Sequence, residues 1–165
     1  MIKSAEISDC GRYRYSLRRA WGDGPTVAFI GLNPSTADAE NDDPTIRRCI
    51  GFAQAWGYSS LLMLNLFALR STNPSRLLFD AAPIGPDTDA RLNTDVLGAS
   101  LVVAAWGAHY IAASRGADVR HRLEALGVEL HALGLTRSRQ PKHPLYLPKG
   151  LVAVPIAALE RGDKR

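Results

Sequence analysis

The sequence predicts an α/β protein, a three-layer α/β/α sandwich in which helices cover both faces of a central four-stranded parallel sheet, with a short N-terminal edge strand or hairpin. Four short apolar runs support this prediction, since each is typical of a strand that is buried on both faces. Helical patterns separate these runs, and such alternation is typical of a parallel sheet. The runs lie at residues 27–30, 61–67, 101–106 and 128–133.

The segment at residues 11–21 alternates apolar and basic side chains, which is typical of a half-buried strand. Two sets of side chains fall on opposite predicted faces: Tyr13, Tyr15 and Leu17, and Arg12, Arg14 and Arg18. We expect an edge strand, whose charges discourage pairing with other molecules. The arginines interleaved with tyrosines would also suit contacts to phosphates, so both interpretations stay open.

The clearest helix signal follows the first buried strand. Asp43 is a typical N-cap, and Pro44 occupies the first helical position, where a missing N–H costs nothing. Apolar residues recur with helical spacing up to Trp56, and Gly57 is typical of a helix end. Further helices are predicted after Asn73-Pro74, over 87–97 and over about 118–126, and residues 151–165 are expected to form a short closing element and a charged end.

Composition and charge place few limits on function. The chain has 165 residues, of which 46% are hydrophobic, and this suits one domain spanning residues 1–165. We expect a cytoplasmic protein without a membrane segment, because no apolar run approaches the roughly 20 residues that span a bilayer and the N-terminus lacks a signal-peptide pattern. The formal net charge of +4 permits an anionic partner without requiring one.

No metal or cofactor is predicted. Cys10 and Cys49 are too few for a thiolate zinc site, an iron–sulfur cluster or a disulfide framework. Asp38, Asp42 and Asp43 match no calcium-binding loop, and Asp43 is already assigned to capping a helix.

Polar and aromatic side chains follow the carboxyl ends of the predicted strands, and this is the edge at which open parallel sheets bind ligands. Asn33 and Ser35 follow the first strand, Asn65 ends the second, and the third runs into a Trp-Gly-Ala-His segment at 106–109. The fourth is followed by a basic stretch at 136–149, where three prolines favour an extended loop. That loop suits either a phosphate backbone or a solvated surface.

Four motifs, in this order, resemble those of the uracil-DNA glycosylase superfamily. Gly31-Leu32-Asn33-Pro34-Ser35 is similar to the first motif of its mismatch-specific branch. Leu62-Met63-Leu64-Asn65 resembles the second-strand motif, whose Asn hydrogen-bonds the base edge, and Ala105-Trp106-Gly107-Ala108-His109 resembles a third-strand Trp-Gly segment. Lys142-His143-Pro144 resembles the late motif whose His supports the departing base anion.

Over nearly its full length the chain also resembles an uncharacterised bacterial family, domain of unknown function 1643. Residues 33–38 (Asn-Pro-Ser-Thr-Ala-Asp) and 43–48 (Asp-Pro-Thr-Ile-Arg-Arg) carry this second resemblance. Two positions depart from the glycosylase motifs. Leu145 stands where Ser usually follows His-Pro, and Asn33 stands where the best-known branch has Asp, so a strong general base is missing from that position.

The resemblance implies a protein that recognises a nucleobase, in DNA or in a nucleotide, and that hydrolyses the N-glycosidic bond of a modified or deaminated base. Asn33 would position the attacking water, and His143 or backbone N–H groups beside Gly31 would stabilise the base as it leaves. Base or ligand contacts are assigned to Gly31, Leu32, Ser35, Asn65, Phe67 and Trp106. Phosphate contacts are assigned to Arg47, Arg48, Arg137, Arg139 and Lys142.

Other functions remain open at this stage. The chain could be a nucleotide- or nucleic-acid-binding module that keeps the base pocket without the chemistry, or an α/β domain with another role. It could also hydrolyse free nucleosides or nucleotides, which the missing Ser of the late motif favours. Phe67 and Trp106 would serve equally well as core residues.

Overall fold

The computed structural model describes residues 1–162, so residues 163–165 of the predicted domain and of its charged end lie outside the described residues. Within 1–162 the chain forms a seven-stranded mixed sheet and four α-helices. The strands are β1 (Ile2–Ile7), β2 (Arg14–Ala20), β3 (Thr26–Gly31), β4 (Ser60–Asn65), β5 (Leu101–Ala104), β6 (Leu130–Ala132) and β7 (Val154–Pro155). The helices are α1 (Pro44–Ala55), α2 (Thr88–Asp95), α3 (Ala112–Ala125) and α4 (Ile156–Glu160), with 3-10 helices at Pro74–Leu78 and Val96–Gly98.

The centre of the sheet is parallel and its margins are antiparallel. The strand order is β1-β2-β4-β3-β5-β6-β7. The four central strands run parallel, whereas β1, β2 and β7 join their neighbours in antiparallel pairs. The predicted α/β class and parallel centre are therefore confirmed, but the sheet extends beyond the four predicted strands on both sides. β7 was not predicted because its two residues are too few to show a period.

Apolar layers cover both faces of the sheet because successive side chains of a buried strand alternate between the faces. Val27 and Phe29 of β3 join one cluster with apolar residues of α1. Ala28 and Ile30 join a second cluster with apolar residues of α2, α3 and α4. Helices therefore pack on both faces. None of the helices within the described range is long and apolar enough to cross a membrane.

Helix α1 begins and ends where the local signals predict. Oδ1 of Asp43 accepts a hydrogen bond from the backbone N–H of Ile46 at 2.9 Å, and Pro44 is the first helical residue. Gly57 follows the helix with φ at +81°, a left-handed conformation that favours glycine. In contrast, α3 begins at Ala112, about six residues earlier than predicted, because no side chain caps its N-terminus and marks the start.

The prediction of an edge strand over residues 11–21 is wrong. β2 lies between β1 and β4, because an N-terminal hairpin places β1 at the edge. The pairing register shifts between Glu6 and Ile7, which leaves Tyr15 without a partner residue in β1. As a result, Tyr15 and Leu17 enter different apolar clusters instead of sharing one face.

Two arginines of β2 are buried, and one of them, Arg14, belongs to the basic face that the alternating pattern predicts to be exposed. Arg14 is 2% exposed and Arg19 is 0% exposed, whereas Arg18 is exposed. Nε of Arg19 donates to Oδ1 of Asp42 at 2.7 Å, and its Nη2 donates to the backbone oxygen of Asp38 at 2.6 Å. Arg19 therefore ties β2 to the segment that connects β3 with α1.

Replacing Arg19 should destabilise the whole domain. In Arg19→Met the apolar stem is kept, but Asp42 and the backbone oxygen of Asp38 lose their donor in a half-buried site. Breaking a buried ion pair by removing one partner costs about 3–5 kcal/mol. We expect a loss of this size in the free energy of unfolding, measured with urea. Arg18→Met, an exposed change on the same strand, should stay within about 0.5 kcal/mol of wild type, and equal losses in both variants would contradict the role given to Arg19.

Candidate functional site

A cleft of about 330 Å³ opens at the carboxyl ends of β3, β4 and β5, on the side of the sheet that carries α1. Five separate segments reach it beyond these strand ends: the turn at 32–35, the start of α1, the turn at 71–74, the Trp106–His109 stretch and His143 of the basic loop. Several residues predicted from the sequence line this one cleft, namely Gly31, Leu32, Asn33, Ser35, Asn65, Trp106 and His143. The remaining lining residues are Arg14, Asp43, Thr45, Ile46, Met63, Ser71, Thr72, Pro74, Gly107, Ala108 and His109.

The other predicted site residues lie elsewhere. Phe67 is buried in the apolar cluster that packs against α3, away from the cleft lining. None of the five predicted phosphate-contacting residues, all within the described part of the chain, lines the cleft. Arg47 and Arg48 line a neighbouring groove with Lys149. Arg137 is exposed, Nη2 of Arg139 donates to the backbone oxygen of Glu160 at 3.1 Å, and the stem of Lys142 packs against Gly134.

Trp106 contributes to the cleft wall mainly as a packed core residue. It is 4% exposed, and its Nε1 donates to Oε1 of Gln140 at 3.0 Å. Its ring lies so close to Gly116 of α3 that a Cβ there would come within 2.8 Å of the indole. The indole is therefore held from both sides, and only part of it is available to a ligand.

Asn65 at the end of β4 presents a fixed hydrogen-bond donor to the cleft. Its Oδ1 accepts from Nη2 of Arg14 at 3.4 Å, while Nη1 of Arg14 donates to the backbone oxygen of Ala37 at 2.9 Å. A guanidinium has donors only, so the oxygen of the Asn65 amide must face it. Nδ2 of Asn65 consequently points away from Arg14 and has no partner among residues 1–162. A ligand that meets Asn65 must offer an acceptor.

Arg14 also places a positive charge in the lining of the cleft. Its Nε is buried and has no hydrogen-bond partner within the described residues. Burial lowers the pKa of Arg14 to about 10, with Arg19 and Arg70 acting in the same direction and Asp43 opposing them. The guanidinium therefore stays charged at neutral pH, so the site favours an anionic or strongly polarised oxygen in the ligand.

The side-chain amide of Asn33 links the turn after β3 to the segment at 69–71. Its Nδ2 donates to the backbone oxygens of Pro34 at 3.1 Å, Leu69 at 3.3 Å and Ser71 at 2.9 Å. The amide nitrogen is thus committed to the fold, whereas Oδ1 has no partner in the part of the chain that is described. An amide oxygen can hold a water molecule by accepting a hydrogen bond, but it cannot take a proton at neutral pH.

Two histidines line the cleft with the same local geometry. Nδ1 of His143 accepts from the backbone N–H of Leu145 at 3.1 Å, and Nδ1 of His109 accepts from that of Ile111 at 3.3 Å. These bonds assign the proton of each neutral ring to Nε2, which is then a donor. His143 is exposed at the rim of the cleft. Partial loss of water around its ring lowers the pKa, while the charge of Asp43 acts in the opposite direction.

Arg14, Asp43 and His109 also line the cleft, although none of them is among the site residues assigned from the sequence. His109 enters the prediction only as part of the 106–109 segment, and Arg14 only as one of the strand arginines suited to phosphates. Arg14 was placed on an exposed face, and Asp43 was assigned to helix capping alone. A usable signal existed for Asp43, because helices of a parallel sheet begin near the carboxyl ends of the strands, so an N-cap residue there lies close to the site. The described residues contain no group of three or more His, Cys, Asp or Glu that could hold a metal ion.

The ring of His143 should titrate below the usual value of about 6.5 for histidine. Loss of hydration disfavours the imidazolium, so the ring should be neutral at pH 7. Asp43→Asn should lower this pKa further, since the carboxylate stabilises the charged ring. Proton NMR of the Cε1–H signal across pH measures both effects. A pKa at or above the usual value, or an upward shift in Asp43→Asn, would contradict this geometry.

The side-chain amide of Asn65 packs against Gly31, in space that a larger residue at position 31 would fill. A Cβ at this position would lie 2.8 Å from Cε of Met63 and 2.9 Å from Nδ2 of Asn65. Gly31→Ala should therefore displace the Asn65 side chain, and its side-chain NH₂ signals should shift in a ¹⁵N-correlated NMR spectrum. Gly51→Ala is the matched control, because a Cβ there meets nothing within 4 Å and alanine suits a helix. Unchanged Asn65 signals in Gly31→Ala would refute the close approach.

Comparison with known proteins adds one result. No curated protein and no solved structure matches this chain. A family model matches residues 14–145, a range that includes β2, every cleft residue and the start of the basic loop. The chain therefore belongs to the family described as protein of unknown function (DUF1643).

Proposed function

We propose that the cleft recognises a nucleobase and hydrolyses its N-glycosidic bond, with a modified or deaminated base in DNA as the substrate. The observation that carries this proposal is the meeting of Asn33, Asn65 and His143 in one cleft at the carboxyl edge of a parallel sheet. Three distant segments of the chain supply these side chains, and each was assigned the corresponding role from its motif. The resemblance of those motifs to the uracil-DNA glycosylase superfamily supports the same proposal.

The cleft suits a flat heterocycle in size and in polarity. Its volume of about 330 Å³ lies at the lower end of the range for small-molecule sites. Leu32, Ile46 and Met63 supply apolar surface, and the Nδ2 of Asn65 supplies a donor of fixed orientation. A base carbonyl oxygen is the acceptor that this donor would bind.

Cleavage of an N-glycosidic bond transfers negative charge to the departing base, so the protein must stabilise that charge. Asn65 would donate to the base oxygen that gains the charge, and the buried guanidinium of Arg14 behind it would strengthen this hydrogen bond. Nε2 of His143, which lines the same cleft, would supply a second donor. These groups are already in place, and such preorganised donors stabilise a transition state without further rearrangement.

Hydrolysis of free nucleosides is a second candidate, and one observation favours it. The basic residues that would follow a DNA backbone lie outside the cleft lining, in a neighbouring groove or on the surface. A free nucleoside would fill the cleft without needing them. The two candidates share the base-binding chemistry and differ in the substrate that carries the base.

The proposal is tested by incubating the purified protein with DNA strands and with nucleosides that contain uracil, hypoxanthine or xanthine. We expect release of free base, detected as abasic sites in DNA or by chromatography for nucleosides. Asn65→Ala removes the donor to the leaving base and should slow release by roughly 10²–10³-fold. His121→Ala, an exposed change on α3 outside the cleft lining, should leave the rate unchanged.

The outcomes separate the candidates. Release from DNA alone supports a DNA glycosylase, and release from nucleosides alone supports the second candidate. A base-dependent rise in melting temperature without any bond cleavage would replace both by a non-catalytic binding module. Release that is equally fast in Asn65→Ala would refute the assignment of the chemistry to this cleft.

A further inference from the structure

None of the side chains assigned to the reaction offers a free base for water: Asn33 and Asn65 are amides, and Nδ1 of His143 already accepts from the backbone N–H of Leu145. Asn33 stands where a carboxylate would be most useful, and an amide is not a base at neutral pH. The chain nevertheless supplies a carboxylate to the same cleft from a different segment. Asp43, the residue before helix α1, lines the cleft together with Asn33 and Asn65.

One oxygen of Asp43 is committed and the other is free. Oδ1 accepts from the backbone N–H of Ile46 at 2.9 Å, which fixes the carboxylate at the start of the helix. Oδ2 has no hydrogen bond and no ion pair with any residue from 1 to 162. The side chain is half-buried, so it is held rigidly and can still reach a water molecule in the cleft.

Two titratable groups of the cleft, the charged guanidinium of Arg14 and the neutral ring of His143, lie within electrostatic range of Asp43. Its negative charge acts on Arg14 of β2 and on His143 of the basic loop. Arg14 is the buried cation whose Nε has no partner in the described chain, and the negative charge of Asp43 partly offsets its positive charge. The N-terminus of α1 adds a further positive potential at the same place.

We propose that Asp43 is the general base that activates the attacking water. This inference rests on the proposed glycosidase function and assigns the catalytic residue that the Asn33 position lacks. Asn33 Oδ1 would hold the same water molecule by accepting its second hydrogen. The water would then be oriented by one residue and deprotonated by the other.

The step balances within the cleft. The water oxygen forms a bond to C1′ of the sugar, and the bond between C1′ and the base nitrogen breaks. Its electron pair leaves with the base, whose anion is stabilised by Nδ2 of Asn65. The proton of the water passes to Oδ2 of Asp43 and from there to solvent. Nε2–H of His143 donates a hydrogen bond to the base anion, which takes its proton from solvent. The products are the free base and a sugar with a hydroxyl at C1′.

Capping and catalysis by Asp43 can be separated, because asparagine and serine cap helices about as well as aspartate but cannot accept a proton from water. In Asp43→Asn and Asp43→Ser we expect a melting temperature close to wild type and retained binding of the free base. The rate of base release at saturating substrate should fall by roughly 10²–10⁴-fold. Asp43→Glu keeps a carboxylate and should retain more activity than either.

Asp87→Asn is the matched control. Asp87 occupies the N-cap position of α2, makes no side-chain capping hydrogen bond and does not line the cleft. Its amide variant should therefore release base at the wild-type rate.

Each outcome decides the inference. If the wild type releases base and both Asp43→Asn and Asp43→Ser release it within a few-fold of that rate, Asp43 is not the base, and the proposed function stands. If either variant loses base binding to the same extent as its rate, Asp43 contributes to binding and the inference is overturned. If the wild type releases no base from any substrate of the panel, the proposed function and this inference fall together.

Discussion

Two buried guanidinium groups on one strand organise the cleft. Arg14 and Arg19 both point from β2 toward the segment that connects β3 with α1, and together they bind backbone oxygens of Ala37 and Asp38. A buried cation without acceptors would be costly, so each arginine constrains the surrounding chain to supply oxygens. The connecting segment therefore passes close to the strand ends, and it delivers Asp43 to the edge where Asn65 also ends its strand.

This constraint also determines the chemistry of the cleft. Arg19 is fully satisfied by Asp42 and by backbone oxygens, and its role is structural. Arg14 is only partly satisfied, because its Nε has no partner among the described residues, and it orients the Asn65 amide. The same residue type thus stabilises the fold at one position of β2 and orients a side chain of the cleft lining at another. The difference lies in the number of acceptors that each guanidinium finds.

Much of the fold could be predicted from local patterns. The four central strands are buried on both faces and read as continuous apolar runs, and α1 carries a cap, a proline and a terminal glycine. Asn33, Asn65 and His143 could be grouped because parallel strands bring their carboxyl ends to one edge. The positions of Phe67 and of the five residues assigned to phosphate contacts could not be predicted from the strand ends. One residue of difference along a strand decides whether a side chain faces the core or the site, and loop residues such as Arg139 have no period at all.

The sequence by itself determined the α/β class, the parallel centre of the sheet and the edge at which polar side chains collect, because these depend on periodicity and short-range turn chemistry. Only the tertiary structure decided that Arg14 lies beneath Asn65, that β1 covers β2, and that Asp43 shares a cleft with Asn33. These relations join segments far apart in the chain. They depend on a register shift opposite Tyr15 and on the hydrogen-bonding needs of buried charges, and neither leaves a regular pattern in the order of the residues.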